Sequence, residues 1–206
     1  LTPDTSNRFT RAMLAYPDIS EMFYRRLRTL ADQFLLPNGK YEAMWDGIAN
    51  PYLAECDLDK AAWGGYGPAA ARSVFLEGLA DRYAVIAANT GPGKPVPASQ
   101  GAAPNVVINE IQYAPAGGDD AEFIELTNPS ATESVDISGW TVDGIGLTIQ
   151  PGTVLLPGKQ IVFVNNDKVF RTTYPAANRF VGGEFSGDLS NTGETIRLVQ
   201  GARVVD

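Results

Sequence analysis

Five carboxylate side chains lie close together between residues 106 and 126, where two short apolar segments flank a loop rich in Gly, Pro and Asp. If the two segments pair as a β-hairpin, the carboxylates of the strands come within reach of those of the loop. Carboxylate oxygens are ligands that Ca²⁺ prefers. One hypothesis is therefore a Ca²⁺ site, with the ligands Glu110, Asp119, Asp120, Glu122 and Glu125.

The same five residues also fit a structural role. Their spacing matches no EF-hand loop, and aspartates in loops or carboxylates on the open face of a strand are ordinary features. A glycoside hydrolase would need two acids about 5 to 10 Å apart across a sugar-binding cleft. The second half has one tryptophan, Trp140, and in the sequence SGW we expect it to pack between two sheets. A hydrolase is therefore disfavoured.

The chain lacks the residues that other common catalytic sites require. The chain has no histidine and one cysteine, Cys56, which excludes Ser-His and Cys-His pairs, an internal disulfide and a thiolate zinc site. Cys56 is predicted to be a small buried residue or a free thiol. The glycine-rich segment 64–72 has no lysine after it, so it is predicted to be a turn between helices. We predict no catalytic and no cofactor-binding residue.

Charge and hydropathy narrow the range of partners. The net charge is −8, of which residues 1–90 carry −2 and residues 91–206 carry −6. Neither half has the Lys and Arg stripe that binds phosphates, so nucleic acid is disfavoured. No apolar run approaches the about 20 residues that cross a bilayer, so membrane insertion is not expected. Because the chain begins at Leu1 rather than Met, we expect it to be cut from a longer precursor.

The first 90 residues show the periodicity of helices. Ile19, Phe23, Leu27, Leu30 and Phe34 recur at steps of three or four, which predicts an amphipathic helix from residue 18 to 34. Further helices are predicted over 7–16, in two pieces over 41–63 and from 68 to about 89. We expect the aromatic residues to form a bundle core rather than a ligand groove; they are Phe23, Tyr24, Phe34, Tyr41, Trp45, Tyr52 and Trp63.

A change of pattern divides the chain. Residues 91–104 hold four prolines and three glycines and hardly any large apolar side chain, which predicts a linker that tethers a domain at 1–90 to one at 105–206. Beyond it the period is two, and about seven short strands predict an all-β, immunoglobulin-like antiparallel sandwich after the all-α helical bundle. The segments are 106–113, 122–128, 134–142, 147–149, 160–164, 179–181 and 195–199, with a short helix or loop at 167–174 and a last strand begun at Val204.

Five motifs of the second half resemble, in order and spacing, the lamin tail domain. They are INEIQY at 108–113, EFIEL at 122–126, DISGWTV at 136–142, LLPGKQIVF at 155–163 and LSNTGETIRL at 189–198. The resemblance implies an immunoglobulin-like sandwich. It also implies a module appended to an exported or surface protein, and hence an extracellular or cell-surface location.

The first half resembles the C-terminal helical part of the CotH kinase-like family. The similar segments are RAMLAYPDISEMFYRRLRTL at 11–30, ECDLDKAAWG at 55–64 and FLEGLADRYAVI at 75–86. The ATP-binding and metal-binding positions of that family belong to an upstream kinase-like segment, which no part of this chain matches. The resemblance therefore brings no catalytic residue.

Three functions remain open at this stage. The first is a non-catalytic fragment of a larger exported protein, in which the sandwich attaches to a protein or a cell surface and the helical bundle supports or extends a kinase-like domain. In the second, the helices complete an upstream kinase-like phosphotransferase, which would make the parent an atypical protein kinase. The third is a Ca²⁺-dependent adhesive module.

Overall fold

The computed structural model describes residues 7–177 and 179–206. It divides into two compact units. The helical unit holds the first helix and Arg26–Ser99, and the sandwich unit holds Gln100–Asp206 together with Tyr16–Arg25. None of the helices within the described residues combines the length and the apolarity of a transmembrane helix.

Five helices make up the N-terminal part, in the places that the periodicity predicts. Asn7 caps the first helix by accepting from the backbone N–H groups of Phe9 and Thr10. Pro51 lies in a 3₁₀ turn that breaks the third predicted helix in two. The bounds are α1 (Arg8–Leu14), α2 (Pro17–Phe34), α3 (Lys40–Ala49), α4 (Leu53–Trp63) and α5 (Pro68–Ala87).

The aromatic residues of these helices are less buried than predicted. Tyr24 is buried, but Trp63 is 83% exposed and Tyr52 is 61% exposed, so the prediction of one aromatic core is wrong for these two and for the half-exposed Phe23 and Tyr41. For Tyr41 on α3 and Trp63 on α4, the reason is that each helix packs along α5, and one neighbour covers only one side of a helix. Cys56 lies on α4 as an exposed free thiol, which is the second of its two predicted states.

An ion-pair cluster joins α3 to α5. Arg72 donates to Glu42 Oε1 at 2.6 Å and to Asp46 Oδ1 at 2.7 Å. A hydrogen bond from the Asn38 backbone N–H, together with Arg72, lowers the pKa of Glu42, and the hydrogen bond from Arg72 lowers the pKa of Asp46. Both carboxylates therefore favour the folded state in their ionised form.

Acid should weaken the helical unit through this cluster. A carboxyl with a lowered folded pKa stabilises the fold above its unfolded pKa, here 4.5 for Glu42 and 3.8 for Asp46, and loses that contribution as the pH falls through the folded value. We expect the midpoint of thermal unfolding, followed by circular dichroism over a pH series, to drop below pH 4.5 less steeply in Arg72→Met than in the wild type. An equal drop in both proteins would contradict this.

Residues 100–177 and 179–206 of the sandwich unit form ten short strands and one α-helix. One sheet has the order β1 (Val107–Gln112), β2 (Phe123–Thr127), β7 (Gln160–Val164), β8 (Val181–Glu184). A second sheet has the order β10 (Arg203–Val204), β9 (Arg197–Gln200), β4 (Thr141–Asp143), β5 (Leu147–Thr148), and β3 (Val135–Asp136) pairs with β6 (Val154–Leu155). Helix α6 (Asp167–Thr173) follows β7.

The core lies among inward side chains of these strands. It includes Ile124 and Leu126 of β2, Phe163 of β7, Leu198 of β9 and Trp140, which is 4% exposed. The alternation of β2 places Phe123 and Glu125 on the opposite face of the sheet. The predicted packing of Trp140 and the predicted all-α plus immunoglobulin-like fold class are thus confirmed.

Three details differ from the sequence prediction. The strand predicted over 134–142 is split into β3 and β4 because Gly139 has a φ of +73°, which ends the extended conformation. Val154 and Leu155 form the strand β6. The sequence did not predict this strand, because turn residues flank the pair on both sides. Strand β8 runs parallel to β7, so one pair in the otherwise antiparallel sheets departs from the prediction.

Gly144, in the turn after β4, is constrained by both conformation and packing. Its φ is +106°, and a Cβ there would lie 2.5 Å from Ile196 Cδ1 and 3.1 Å from the Thr195 carbonyl oxygen. We expect Gly144→Ala to lower the free energy of unfolding of the sandwich by about 3 kcal/mol in urea denaturation. Gly152 is the control, because its φ of +94° has open space around it, and Gly152→Ala should cost about 1 kcal/mol. Equal losses would refute the packing argument.

Candidate functional site: the β1–β2 hairpin

The two segments around the acidic residues form the predicted antiparallel hairpin. Ile108 lies opposite Leu126 and Glu110 lies opposite Glu125, so Asn109 is the extra residue of a β-bulge. A bulge sets two residues of one strand against one of its partner. As a result, both Asn109 and Glu110 share the environment of Glu125.

Arg179 is the counter-charge of the two strand carboxylates. Its guanidinium donates to Glu110 Oε2 at 2.8 Å, lies 3.0 Å from Glu125 Oε2 and stands over the Phe123 ring, 5.4 Å from its centre. Asn109 donates to the other oxygen of Glu125 at 2.6 Å. Because Glu125 is 1% exposed, its charge needs these partners. The hydrogen bond to Glu110 raises the pKa of Arg179, so the guanidinium stays charged.

Helix α6 covers the remainder of this face. Phe170 of α6 and the nearby Tyr174 pack on Phe123, with ring centres 5.4 and 5.5 Å away. Val162 and Val164 of β7 complete this small apolar cluster. The outer face of the sheet is therefore a second packed layer, with Arg179 and its carboxylates beside it.

Glu122 belongs to a different environment at the start of β2. Its side chain is fully buried, and Oε2 accepts from the Leu189 backbone N–H at 2.7 Å. Oε1 is buried too and has no hydrogen-bond partner among the described residues. Burial raises the pKa of Glu122, and the carboxylates of Asp119, Asp188 and Glu194 add to the effect. Glu122 thus connects two of the sequence motifs, EFIEL and LSNTGETIRL.

The five predicted Ca²⁺ ligands are divided between these environments. Glu110 and Glu125 face Arg179, Glu122 faces Leu189, and Asp119 and Asp120 lie in a 3₁₀ turn between the strands. Within residues 7–177 and 179–206, no group of three or more acidic or cysteine side chains is placed to hold a metal ion. Ca²⁺ binding stays a prediction of the sequence, and calorimetric titration tests it.

Strand β1 is an edge of its sheet, with β2 as its neighbour. The Ile108 backbone N–H points away from β2, because it donates to Asp206 Oδ2 at 2.8 Å. Further along, Ile111 is 42% exposed and Tyr113 is 52% exposed. The far end of β1 and Tyr113, which follows it, therefore present two exposed apolar side chains on an edge strand.

Sequence reasoning missed three members of this site. Arg179 is 69 residues from Glu110, and no local pattern connects them. Asn109 resembles an ordinary strand residue, although two consecutive polar residues, Asn109 and Glu110, break the alternation and indicate the bulge. The Leu189 N–H is a backbone group that only the folded loop brings to Glu122.

Residues 99–206, more than half of the 206-residue chain, match the family model of the lamin tail domain. The chain belongs to the lamin tail domain family. Lamin tail domains are immunoglobulin-like modules generally used for protein interactions. The match begins at residue 99, just before Gln100, whose carboxamide bonds to both the N–H and the C=O of Asp136 in β3.

Neither a search of curated proteins nor a search of solved structures found a match. The lamin tail domain accounts for the sandwich and its hairpin. The resemblance of the helices to the CotH kinase-like family stays a prediction.

Proposed function

We propose that the chain is a non-catalytic attachment module of a larger exported protein, in which the lamin tail domain binds a partner protein along the free end of β1. The observation that carries the proposal is the exposure of the apolar side chains Ile111 and Tyr113 at the end of the edge strand β1. Main-chain groups at such an edge pair with an added strand, and side chains beside them select the partner.

The partner that fits this edge is an extended polypeptide segment. Ile108 already gives its outward N–H to an oxygen acceptor, Asp206 Oδ2, which is the bond that a carbonyl group of an added strand would make. Ile111 and Tyr113 would contact apolar side chains of that segment.

A charge on the edge should block this binding. We expect Ile111→Lys to reduce the amount of partner retained on the immobilised full chain from extracts of the producing cells about tenfold, because lysine on an edge strand opposes strand addition. Phe180→Lys is the matched control, since Phe180 is 69% exposed next to the opposite edge strand, β8. Equal retention by the two variants would refute binding at β1.

The helical half is proposed to be the C-terminal part of a CotH-like protein, where it supports or extends a kinase-like domain or completes an upstream phosphotransferase. Phosphotransfer assays of the longer protein with and without residues 1–90 separate the two roles. Unchanged activity after deletion leaves the supporting role, and lost activity with intact folding of the remainder favours the phosphotransferase role.

An extracellular or cell-surface location is part of the same proposal and has its own test. Protease added to intact producing cells should degrade the chain, and full protection that ends on lysis would overturn export. Ca²⁺-dependent adhesion, the further alternative, predicts heat on titration with millimolar Ca²⁺ that Glu122→Gln abolishes. Absence of heat from the wild type would remove it.

A further inference from the structure

The segment between helix α5 and the sandwich is folded against the helical unit. It begins with a turn in which the Lys94 N–H donates to the Gly91 carbonyl at 3.0 Å. Val96 then forms a parallel bridge with Thr90, and its N–H donates to the Asn89 carbonyl at 3.2 Å. Val96 is 1% exposed, although its flanking sequence contains hardly any other apolar side chain.

A second attachment lies three residues further along, at Ser99. The Arg28 guanidinium donates to Ser99 Oγ at 2.6 Å. The same guanidinium donates to Thr90 Oγ1 at 3.1 Å, just before the segment begins. Arg28 therefore holds both ends of the segment from one position on α2.

Arg28 is itself fixed by the helices. Its Nε donates to Asp32 at 3.1 Å, and one terminal nitrogen donates to the Tyr83 hydroxyl at 2.9 Å. Tyr83 in turn donates to Asp32 at 3.0 Å. Since Arg28 is 7% exposed, a planar guanidinium with several donors suits this position better than a flexible ammonium.

We propose that residues 91–99 form a strap that closes on the helical unit. Burial of Val96 and the hydrogen bonds from Arg28 to Thr90 and Ser99 hold it there. When these contacts are broken, the same residues become the proline-rich tether that their composition predicts. The state of the strap then decides whether the segment before the lamin tail domain is fixed or free.

Hydrogen exchange of the Val96 amide in the full chain measures the closed state directly. We expect this amide to exchange at least about 100-fold more slowly than in an unstructured peptide, as a hydrogen-bonded amide of a cooperative unit does. Ser99→Ala should reduce that protection about tenfold, because a hydrogen bond to a charged group is lost. Arg28→Lys should reduce it further, since lysine cannot bridge Thr90 and Ser99 together.

Two controls keep the test specific. Ser73→Ala removes another exposed serine with its own hydrogen bond, to Glu77, and should leave Val96 unchanged. The amide of Leu79, buried in α5, should keep its protection in Ser99→Ala. Exchange of Val96 at the peptide rate in the wild type would overturn the proposal, as would equal losses at Val96 and Leu79 in Ser99→Ala.

Discussion

Replacing Phe163 with alanine should lower the free energy of unfolding of the sandwich by about 4 kcal/mol, the cost of removing a buried phenyl ring and leaving a cavity. Phe163 is 1% exposed and lies on β7, a central strand of the four-stranded sheet. Space around it is close to filled, because a Cβ on Gly182 of β8 would approach its ring to 2.9 Å. Urea denaturation followed by tryptophan fluorescence measures the loss, since Trp140 belongs to the same core.

Phe180 provides the control for this experiment. It has the same side chain at 69% exposure, so Phe180→Ala should change stability by less than about 0.5 kcal/mol. A loss for Phe163→Ala no larger than that of the control would contradict the packed core described for the sandwich.

Replacing Arg28 with alanine should cost the helical unit about 3 kcal/mol, because it leaves buried polar groups and a carboxylate without their partner. Arg28 pairs with Asp32 at 3.0 Å and donates a hydrogen bond to Tyr83 of α5 at 2.9 Å. Its removal therefore breaks a hydrogen bond between α2 and α5. Burial and the hydrogen bond to Asp32 raise the pKa of Tyr83, which keeps its hydroxyl protonated and able to donate. Urea denaturation followed by far-ultraviolet circular dichroism measures the effect.

Arg82 is the matched control for Arg28. It is an exposed arginine on α5, next to Tyr83, and Arg82→Ala should shift stability by less than about 0.5 kcal/mol. If both variants unfolded at the same urea concentration, the hydrogen bonds among Arg28, Asp32 and Tyr83 would not stabilise the helical unit.

The sequence predicted the elements well where a periodic pattern and a turn signal agree. Helix α2 follows from five apolar residues at helical spacing, and β7 was predicted over the residues that form it, 160–164. The strand predicted at 134–142 failed because Ser138 and Gly139 looked like part of an alternating pattern, whereas the positive φ of Gly139 makes a turn. Aromatic spacing predicted helix faces correctly but could not tell which faces find a neighbour.

The site was predicted in part, for a physical reason. The alternating pattern of the two strands and the composition of the loop between them predicted the hairpin, which places Glu110 opposite Glu125. Burial of Glu122 and Glu125 could not be predicted, because isolated carboxylates are rarely buried and their partners are distant in sequence. Arg179 and the Leu189 N–H come from segments that only tertiary folding brings to the hairpin.

The most direct test of attachment through β1 is photo-crosslinking from position 113. A photoreactive amino acid replaces Tyr113 in the full chain, and in a second protein it replaces Phe180, which is similarly exposed. After irradiation in the producing cells, we expect one discrete crosslinked partner from position 113, and we expect Ile111→Lys to abolish it. Discrete crosslinks from position 180 alone, or a crosslink from 113 that persists in Ile111→Lys, would contradict binding of a partner strand at β1.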